Sequence, residues 1–181
     1  MMAEATMPGS VLLDANVIIE AYELGVWDKL QQRTEIFVPT IVVQEEALFF
    51  LEGEIPQPIQ LKRLIAEGRV KEIAATSDEM GAVQAIFDTV FIQGLHDGEL
   101  EALSLIRANR LEGVLFCTSD AIAISALAMI GHFESGISME SLLRKTGLQQ
   151  PLKKQFTEKF FQRVLAEGKQ HLFTGAGMSQ K

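Results

Sequence analysis

The stretch VLLDANVII, residues 11–19, decides the fold class, because a short apolar run ends abruptly at an acid and helical spacing begins directly after it. A run of this kind is typical of a buried strand. Two further stretches, EIFVP at 35–39 and GVLFCT at 113–118, have the same character. Fully apolar strands that alternate with helices are typical of a parallel sheet covered on both faces. The sequence therefore predicts a three-layer α/β/α domain with a central, mostly parallel sheet, and a ligand site outside the carboxyl ends of its strands.

The segments between these strands predict helices. Apolar residues recur at steps of three and four over 15–32, and Thr40 is placed to cap a helix that closes at Gly53. The remaining predictions are a strand at 70–75, helices at 77–92 and 97–109, an unusually apolar helix at 119–130, and an amphipathic helix beyond 151. The apolar helix 119–130 is a candidate surface for a dimer or another partner.

Composition sets limits on the class of protein. The chain has 181 residues, most simply one domain, and 48% of them are hydrophobic, which excludes a disordered chain. Its one cysteine, Cys117, excludes an intramolecular disulfide and a multi-cysteine zinc site. No stretch is long and apolar enough for a membrane span, and the start MMAEATMPGS does not read as a secretory signal. We therefore expect a protein of the reducing cytoplasm with no membrane partner.

The net charge of −8 is unevenly distributed. Residues 149–181 carry six basic and two acidic residues, a net of +4 against an acidic body. This segment is either a helix with a solvated charged face or a tail that meets a polyanion or an acidic neighbour. The apolar residues of this segment favour packing against a protein surface over binding RNA, because burying large apolar side chains is favourable. These residues are Phe156, Phe160, Phe161 and Val164.

Several familiar site signatures do not occur in the sequence. There is no GxGxxG, no Walker loop, no HExxH and no GxSxG. The three histidines, His96, His132 and His171, are isolated along the chain, which makes a zinc site less expected.

Two aspartates follow predicted strands directly. Asp14 ends the first apolar run and Asp120 follows the third, so both are expected at the ligand-binding edge of the sheet. The alternative is that each caps the helix that follows it. Two strands that each deliver an aspartate to one edge favour a shared function.

The other candidate acids lie on predicted helices. Glu45 and Glu46 stand in an otherwise apolar segment, and one of the pair is expected to face inward. Glu99 and Glu101, two residues apart, cannot both point into one site. With Asp97 they also suit the positive end of a helix dipole. Four separated acids that converge on one edge would bind a hard cation, Mg²⁺ or Mn²⁺, of the kind used to hydrolyse phosphate esters.

Four blocks in order give the chain a resemblance to the PIN-domain nucleases, and in particular to the toxin-type ribonucleases. LLDANVII, VPTIVVQE, DGELEALSLI and FCTSDAIAI resemble the family's acid-bearing motifs, and GISMESLLRKTGL resembles the short helix that closes the domain in one branch. Ala15 departs from the family, which often has Thr or Ser there. The resemblance covers about residues 10–148, so it implies a PIN-like nuclease domain at 10–148 and a C-terminal helical extension at 149–181.

The resemblance also assigns roles to residues. It implies that Asp14, Glu45, Glu99 and Asp120 are the catalytic acids and ligands of Mg²⁺ or Mn²⁺, with Asn16 and Thr118 orienting ligands and water from behind. Glu46, Asp97 and Glu101 are the alternates. Candidates for binding RNA are Arg107, Arg110, Arg144 and Lys145.

The implied activity is a metal-dependent ribonuclease that hydrolyses phosphodiester bonds in single-stranded or structured RNA and leaves a 5′-phosphate and a 3′-hydroxyl. The resemblance further implies a homodimer and, for the toxin of a toxin–antitoxin pair, an antitoxin partner. Three alternatives remain open: a PIN-like nuclease acting on DNA, a non-catalytic PIN-derived binding or regulatory module, and a phosphatase with an aspartate nucleophile. Asn16 counts against the phosphatase, which usually has a second Asp there.

Overall fold

The computed structural model describes residues 9–180. The expectation about a secretory signal rests mostly on residues 1–8, which lie outside this range. The strands are β1 (Ser10–Leu13), β2 (Glu35–Pro39), β3 (Phe49–Glu52), β4 (Ile55–Pro58), β5 (Lys71–Ile73), β6 (Leu115–Cys117) and β7 (Gly136–Ile137). The helices are α1 (Ala15–Glu23), α2 (Trp27–Arg33), α3 (Leu61–Ala66), α4 (Ser77–Gln84), α5 (Thr89–Ile92), α6 (Asp97–Arg107), α7 (Ala121–Met129), α8 (Met139–Lys145) and α9 (Glu158–Thr174).

Five strands form the central sheet in the order β5-β2-β1-β6-β7, and every pairing in it is parallel. Strands β2 and β5 extend the sheet on one side of β1, and the later strands β6 and β7 extend it on the other side. The chain order therefore reverses between β1 and β6, where Val11 pairs with Leu115 and Leu13 with Cys117. A reversal of this kind opens a crevice at the carboxyl ends of the two central strands.

Alternate side chains of β1 enter different layers. Val11 and Leu13 pack into a core with α1, α2, α3 and α8, whereas Leu12 packs into a second core with α4, α5, α6 and α7. This is the two-residue period of a strand that is buried on both faces. The predicted three-layer α/β/α architecture is confirmed.

The C-terminal helix α9 lies outside these three layers and packs on α7. Phe161, Val164 and Leu165 are buried against Ile124 and Ala128 of α7. The packing expected of the apolar residues in this segment is confirmed for Phe156, Phe161 and Val164, which are buried, and Phe160 is half-buried. Helix α7 is apolar all round because it is covered by α6 on one side and α9 on the other, so its composition does not indicate a dimer surface.

Close approach of α9 to α7 depends on a glycine. A Cβ atom at Gly168 would lie 2.6 Å from the carbonyl oxygen of Ser125. The basic residue Lys153, just before α9, donates to Glu20 of α1 at 2.6 Å. Part of the tail's positive charge therefore binds the chain's own acidic body.

Three predicted helices end earlier than expected. The helix predicted from Thr40 ends in a π-helical turn, Val42–Glu46, and the rest of that segment forms the antiparallel β3–β4 hairpin. Phe50 of this hairpin stacks on Tyr22, so tertiary packing overrides helical spacing there. The helix predicted over 15–32 is divided at Gly25, which has a φ of +69°. The helix predicted over 77–92 is divided where Asp88 caps α5.

No helix in the part of the chain that the structure describes is both long and apolar enough to cross a membrane.

Candidate metal centre

Asp14 lies at the carboxyl end of β1, where the sheet order reverses. Its backbone N–H donates to the carbonyl of Cys117 at 3.1 Å, which continues the pairing of β1 with β6 for one residue. Its side chain is buried, and Oδ1 accepts from the N–H of Ala15 at 2.7 Å as the N-cap of α1. Oδ2 accepts from the hydroxyl of Thr118 at 2.9 Å. Asp14 is thus both a helix cap and a buried carboxylate at the ligand-binding edge.

Asp120 follows β6 at the same edge. Its Oδ1 accepts from the N–H groups of Ile122 and Ala123 at 2.8 and 3.0 Å, which makes it the N-cap of α7. The Thr118 hydroxyl that donates to Asp14 also accepts from the N–H of Asp120 at 3.2 Å. Thr118 therefore joins the two aspartates through its hydroxyl group.

Glu99 reaches this edge from the first turn of α6. It is 1% exposed, and its Oε2 accepts from the backbone N–H of His96 at 3.0 Å. One ligand atom from each of His96, Glu99 and Asp120 lies within 4.8 Å of the other two. The structure therefore brings α6 and α7 together at the end of the sheet through their N-terminal residues.

The glutamate that joins these acids from the π-helical turn is Glu46. Its Oε1 accepts from the N–H of Gly98 at 2.9 Å, whereas Glu45 is exposed and does not line the pocket. The resemblance implies Glu45 as the second acid, and this assignment is corrected in favour of Glu46. The π-helical turn rotates the segment relative to a regular helix, so a regular helical spacing does not tell which of the two adjacent glutamates faces the pocket.

Gly98 is required for this arrangement. A Cβ atom there would lie 2.4 Å from Oε2 of Glu46 and 2.7 Å from Cγ2 of Val42. Only a residue without a side chain lets Glu46 approach the N-terminus of α6 so closely.

A shallow depression of about 290 Å³ lies at this edge, and Asp120 stands beside its lining, near Glu99 and His96. Its lining consists of Asp14, Ala15, Asn16, Ile19, Glu46, His96 and Glu99. Asn16 is exposed at this lining, so it is positioned to meet a ligand. No lysine or arginine belongs to the lining within residues 9–180, and the depression is strongly negative whenever its carboxyl groups are ionised.

Burial raises the pKa of Asp14 to about 6, with smaller contributions from the negative charges of Glu46 and Asp120. The hydrogen bonds from Thr118 and Ala15 oppose this rise, because they stabilise the ionised form. The carboxyl group of Asp14 is therefore easier to protonate than an ordinary aspartate, and a cation bound beside it would favour its ionised form.

Burial is also the main reason that the pKa of Glu99 is raised to about 7, and the charges of Asp14 and Asp120 add to it. Glu99 in turn raises the pKa of the His96 imidazole. A crowded set of carboxyl groups with raised pKa values is common at functional sites.

The donor set fits a hard divalent cation. Within residues 9–180, Oδ2 of Asp120 and Oε2 of Glu46 accept no hydrogen bond, so both oxygens are available to a ligand. The nearby oxygens of Asp14 each accept one hydrogen bond and keep a second lone pair. Carboxylate oxygens in this number are the ligands that Mg²⁺ and Mn²⁺ prefer.

Comparisons with known proteins add nothing to the geometry of the site or to the short sequence blocks. No family model, no curated protein and no solved structure matches this chain. The resemblance to PIN-domain nucleases therefore rests on the short blocks quoted above.

Two predicted alternates lie outside the pocket. Glu101 is buried, and its two oxygens accept from the N–H groups of Ile41 and Ala75 at 2.8 and 3.1 Å. It joins α6 to two neighbouring segments and has a structural role. Asp97 is exposed and does not line the depression.

The basic residues expected to bind RNA lie at the opposite end of the sheet. Helix α6 begins at the pocket and Arg107 is in its last turn, so about 15 Å of helix separates the two. Arg110 follows it and pairs with Glu79 at 2.9 Å. Arg144 and Lys145 are in the last turn of α8, which leads away from the carboxyl end of β7. The structure does not bring these four side chains to the acids.

His96 lines the pocket, although it is isolated from the other histidines along the chain. A signal for it exists in the spacing, because Glu99 follows His96 by three residues at the start of a helix, as in a capping box. The expectation that no histidine lies near the acids is corrected.

Proposed function

We propose that this protein is a Mg²⁺- or Mn²⁺-dependent ribonuclease that hydrolyses phosphodiester bonds in single-stranded or structured RNA. The observation that carries the proposal is the convergence of Asp14, Glu46, Glu99 and Asp120 at the point where the sheet order reverses. These four acids come from four separate segments of the chain. Helix capping explains one oxygen of Asp14 and one of Asp120, but it does not explain why all four meet.

The charge of the pocket supports a cation-dependent reaction on an anionic substrate. With no lysine or arginine in its described lining, the pocket would repel a phosphate group if all its carboxyl groups were ionised. A divalent cation held by these carboxylates would neutralise charge on the phosphate and activate water for attack on phosphorus.

The chain's own residues position that chemistry. Thr118 donates to Asp14 and accepts from the N–H of Asp120, so it fixes how the two carboxylates face each other. Gly98 holds Glu46 through its backbone N–H. Asn16 is exposed at the pocket, where its side-chain amide can orient substrate or water. Outer partners of this kind typically change metal affinity or activity 10–100-fold when they are removed.

A paired comparison of adjacent residues tests the proposal. Purified protein is incubated with end-labelled RNA, as a single strand and as a stem–loop, with Mg²⁺, with Mn²⁺ and with a chelator. We expect cleavage only with metal, 5′-phosphate ends, and a loss of more than about 100-fold in Glu46→Gln, whereas Glu45→Gln keeps its activity. Equal activity of the two variants would contradict the proposed site.

DNA of the same sequence separates the ribonuclease from a PIN-like nuclease acting on DNA. A protein that binds RNA but cleaves neither nucleic acid would instead support the non-catalytic module.

The homodimer and the antitoxin stay predictions, to be checked by mass measurement in solution and by identifying proteins that co-purify. We also propose the cytoplasm as the location, since Cys117 is a buried free thiol and no disulfide ties the described fold to an oxidising compartment.

A further inference from the structure

A histidine side chain stands beside the acids without a role in the function proposed above. His96 is the N-cap residue of α6, and its backbone N–H is held by Oε2 of Glu99 at 3.0 Å. The ring lines the pocket, with Nδ1 at 3.4 Å from Oε1 of Glu99. The His96 side chain is 71% exposed, so a cation in the pocket can reach its ring from solvent.

The donor atoms around this ring have the spacing of a metal site. One ring nitrogen of His96 and one carboxylate oxygen from each of Glu99 and Asp120 lie within 4.8 Å of one another. In an octahedral site with ligands at ~2.1 Å, neighbouring donor atoms are about 3 Å apart and opposed ones about 4.2 Å apart. Small rotations of these side chains would bring all three donors onto one cation.

An ion pair between His96 and Glu99 explains only part of this arrangement. Such a pair needs one acid, whereas Asp120 is held at the third corner independently, by the N-terminal N–H groups of α7. One oxygen of Asp120 remains without a hydrogen bond among the described residues and is available to a ligand beside the imidazole.

The chemistry of the nitrogen donor distinguishes between cations. Mg²⁺ is a hard cation that takes oxygen ligands and keeps several waters, whereas a first-row transition ion accepts an imidazole nitrogen beside carboxylates. Resting on the metal centre proposed above, we propose that His96 is a ligand of that centre and makes it select Mn²⁺ over Mg²⁺.

Electron paramagnetic resonance (EPR) of Mn²⁺ tests this proposal on the full chain, without any activity measurement. Metal-free protein is titrated with Mn²⁺ near pH 8, and Mg²⁺ is then added as a competitor. His96→Asn replaces the nitrogen donor but keeps a favourable N-cap residue. His132→Asn, at the far end of α7, is the matched control.

The wild type and His132→Asn should show ¹⁴N coupling to bound Mn²⁺ in pulsed EPR and should need a large excess of Mg²⁺ for displacement. His96→Asn should lose the ¹⁴N coupling and at least about tenfold in Mn²⁺ affinity, with its Mg²⁺ affinity changed less than about twofold. Bound Mn²⁺ without ¹⁴N coupling in the wild type, or an unchanged Mn²⁺ preference in His96→Asn, would overturn the role of His96.

The two proposals fail in different ways. If Mn²⁺ binding is lost in Asp14→Asn but shows no ¹⁴N coupling in the wild type, the metal centre stands and the role of His96 is wrong. If the wild type binds no Mn²⁺, or Asp14→Asn binds it as well as the wild type, the metal centre itself is wrong, and the role of His96 fails with it.

Discussion

Replacing Asp14 by asparagine separates its two roles, because asparagine keeps the shape and the capping ability of aspartate but cannot ionise. In the metal-free protein the buried carboxyl group of Asp14 has a pKa of about 6, against an ordinary value of 3.8. Ionising this group therefore costs folding free energy. The cost is absent below pH 3.8, where the group is neutral in both the folded and the unfolded chain, and it develops as the pH rises to about 6.

The size of the effect follows from the two pKa values. The interval between 3.8 and about 6, at ~1.4 kcal/mol per pH unit, corresponds to about 3 kcal/mol. Asp14→Asn should therefore gain about 3 kcal/mol relative to the wild type as the pH rises from about 3 to 8. With a urea dependence of about 2 kcal/mol per M, the unfolding midpoints of the two proteins should move apart by roughly 1.5 M.

Urea unfolding with a chelator present measures this difference. Trp27, the one tryptophan, is buried and reports unfolding through its fluorescence. Asp97→Asn, at an exposed aspartate outside the pocket, is the matched control. Mg²⁺ at about 1,000 times its Kd should reverse the order of stability, since it then adds about 4.1 kcal/mol to the protein that binds it. A loss of stability in Asp14→Asn that is the same at pH 4 and pH 8 would refute the reasoning and leave Asp14 as a structural residue.

The remaining predictions concern Glu101, the α7–α9 contact and the substrate. Glu101→Ala leaves two backbone N–H groups without their acceptor, so it should lower the free energy of unfolding by about 1.5–3 kcal/mol; an unchanged urea midpoint would contradict its structural role. Gly168→Ala should lose about 1–3 kcal/mol because its Cβ meets the carbonyl of Ser125, whereas Gly81→Ala, in α4 with open space around it, should gain about 0.5–1 kcal/mol; similar thermal melts for the two variants would refute this packing account. RNA binding should require a divalent cation and, without lysine or arginine at the described pocket, should weaken only slightly with added salt; a steep salt dependence in the presence of a chelator would point to a basic surface elsewhere.

Much of the fold is predictable because its central strands are buried on both faces. The runs VLL, IFVP and GVLFC are apolar throughout, and such runs favour strands of a parallel sheet that is covered on both faces. Boundaries that depend on tertiary contacts are less predictable. The β3–β4 hairpin is stabilised by Phe50, which stacks on Tyr22. The sequence pattern after Glu46 does not predict a hairpin there.

The candidate site likewise contains residues that the sequence predicts and residues that it does not. Asp14 and Asp120 are predictable because each directly follows a strand of a parallel sheet, and the topology brings such positions together. Glu46 is not, since the π-helical turn changes which of two adjacent glutamates faces the pocket. The basic residues show the limit of reasoning from charge alone, because Arg107 belongs to the same helix as Glu99 but lies at its other end.

Crystals soaked with Mn²⁺ and measured at the manganese absorption edge test the metal centre most directly. We predict an anomalous peak in the depression between β1 and β6, within direct or water-bridged reach of Asp14, Glu46, Glu99 and Asp120. The peak should disappear in Asp14→Asn crystals grown and soaked in the same way. Well-diffracting wild-type crystals with no peak there, or with the same peak in Asp14→Asn, would contradict the account.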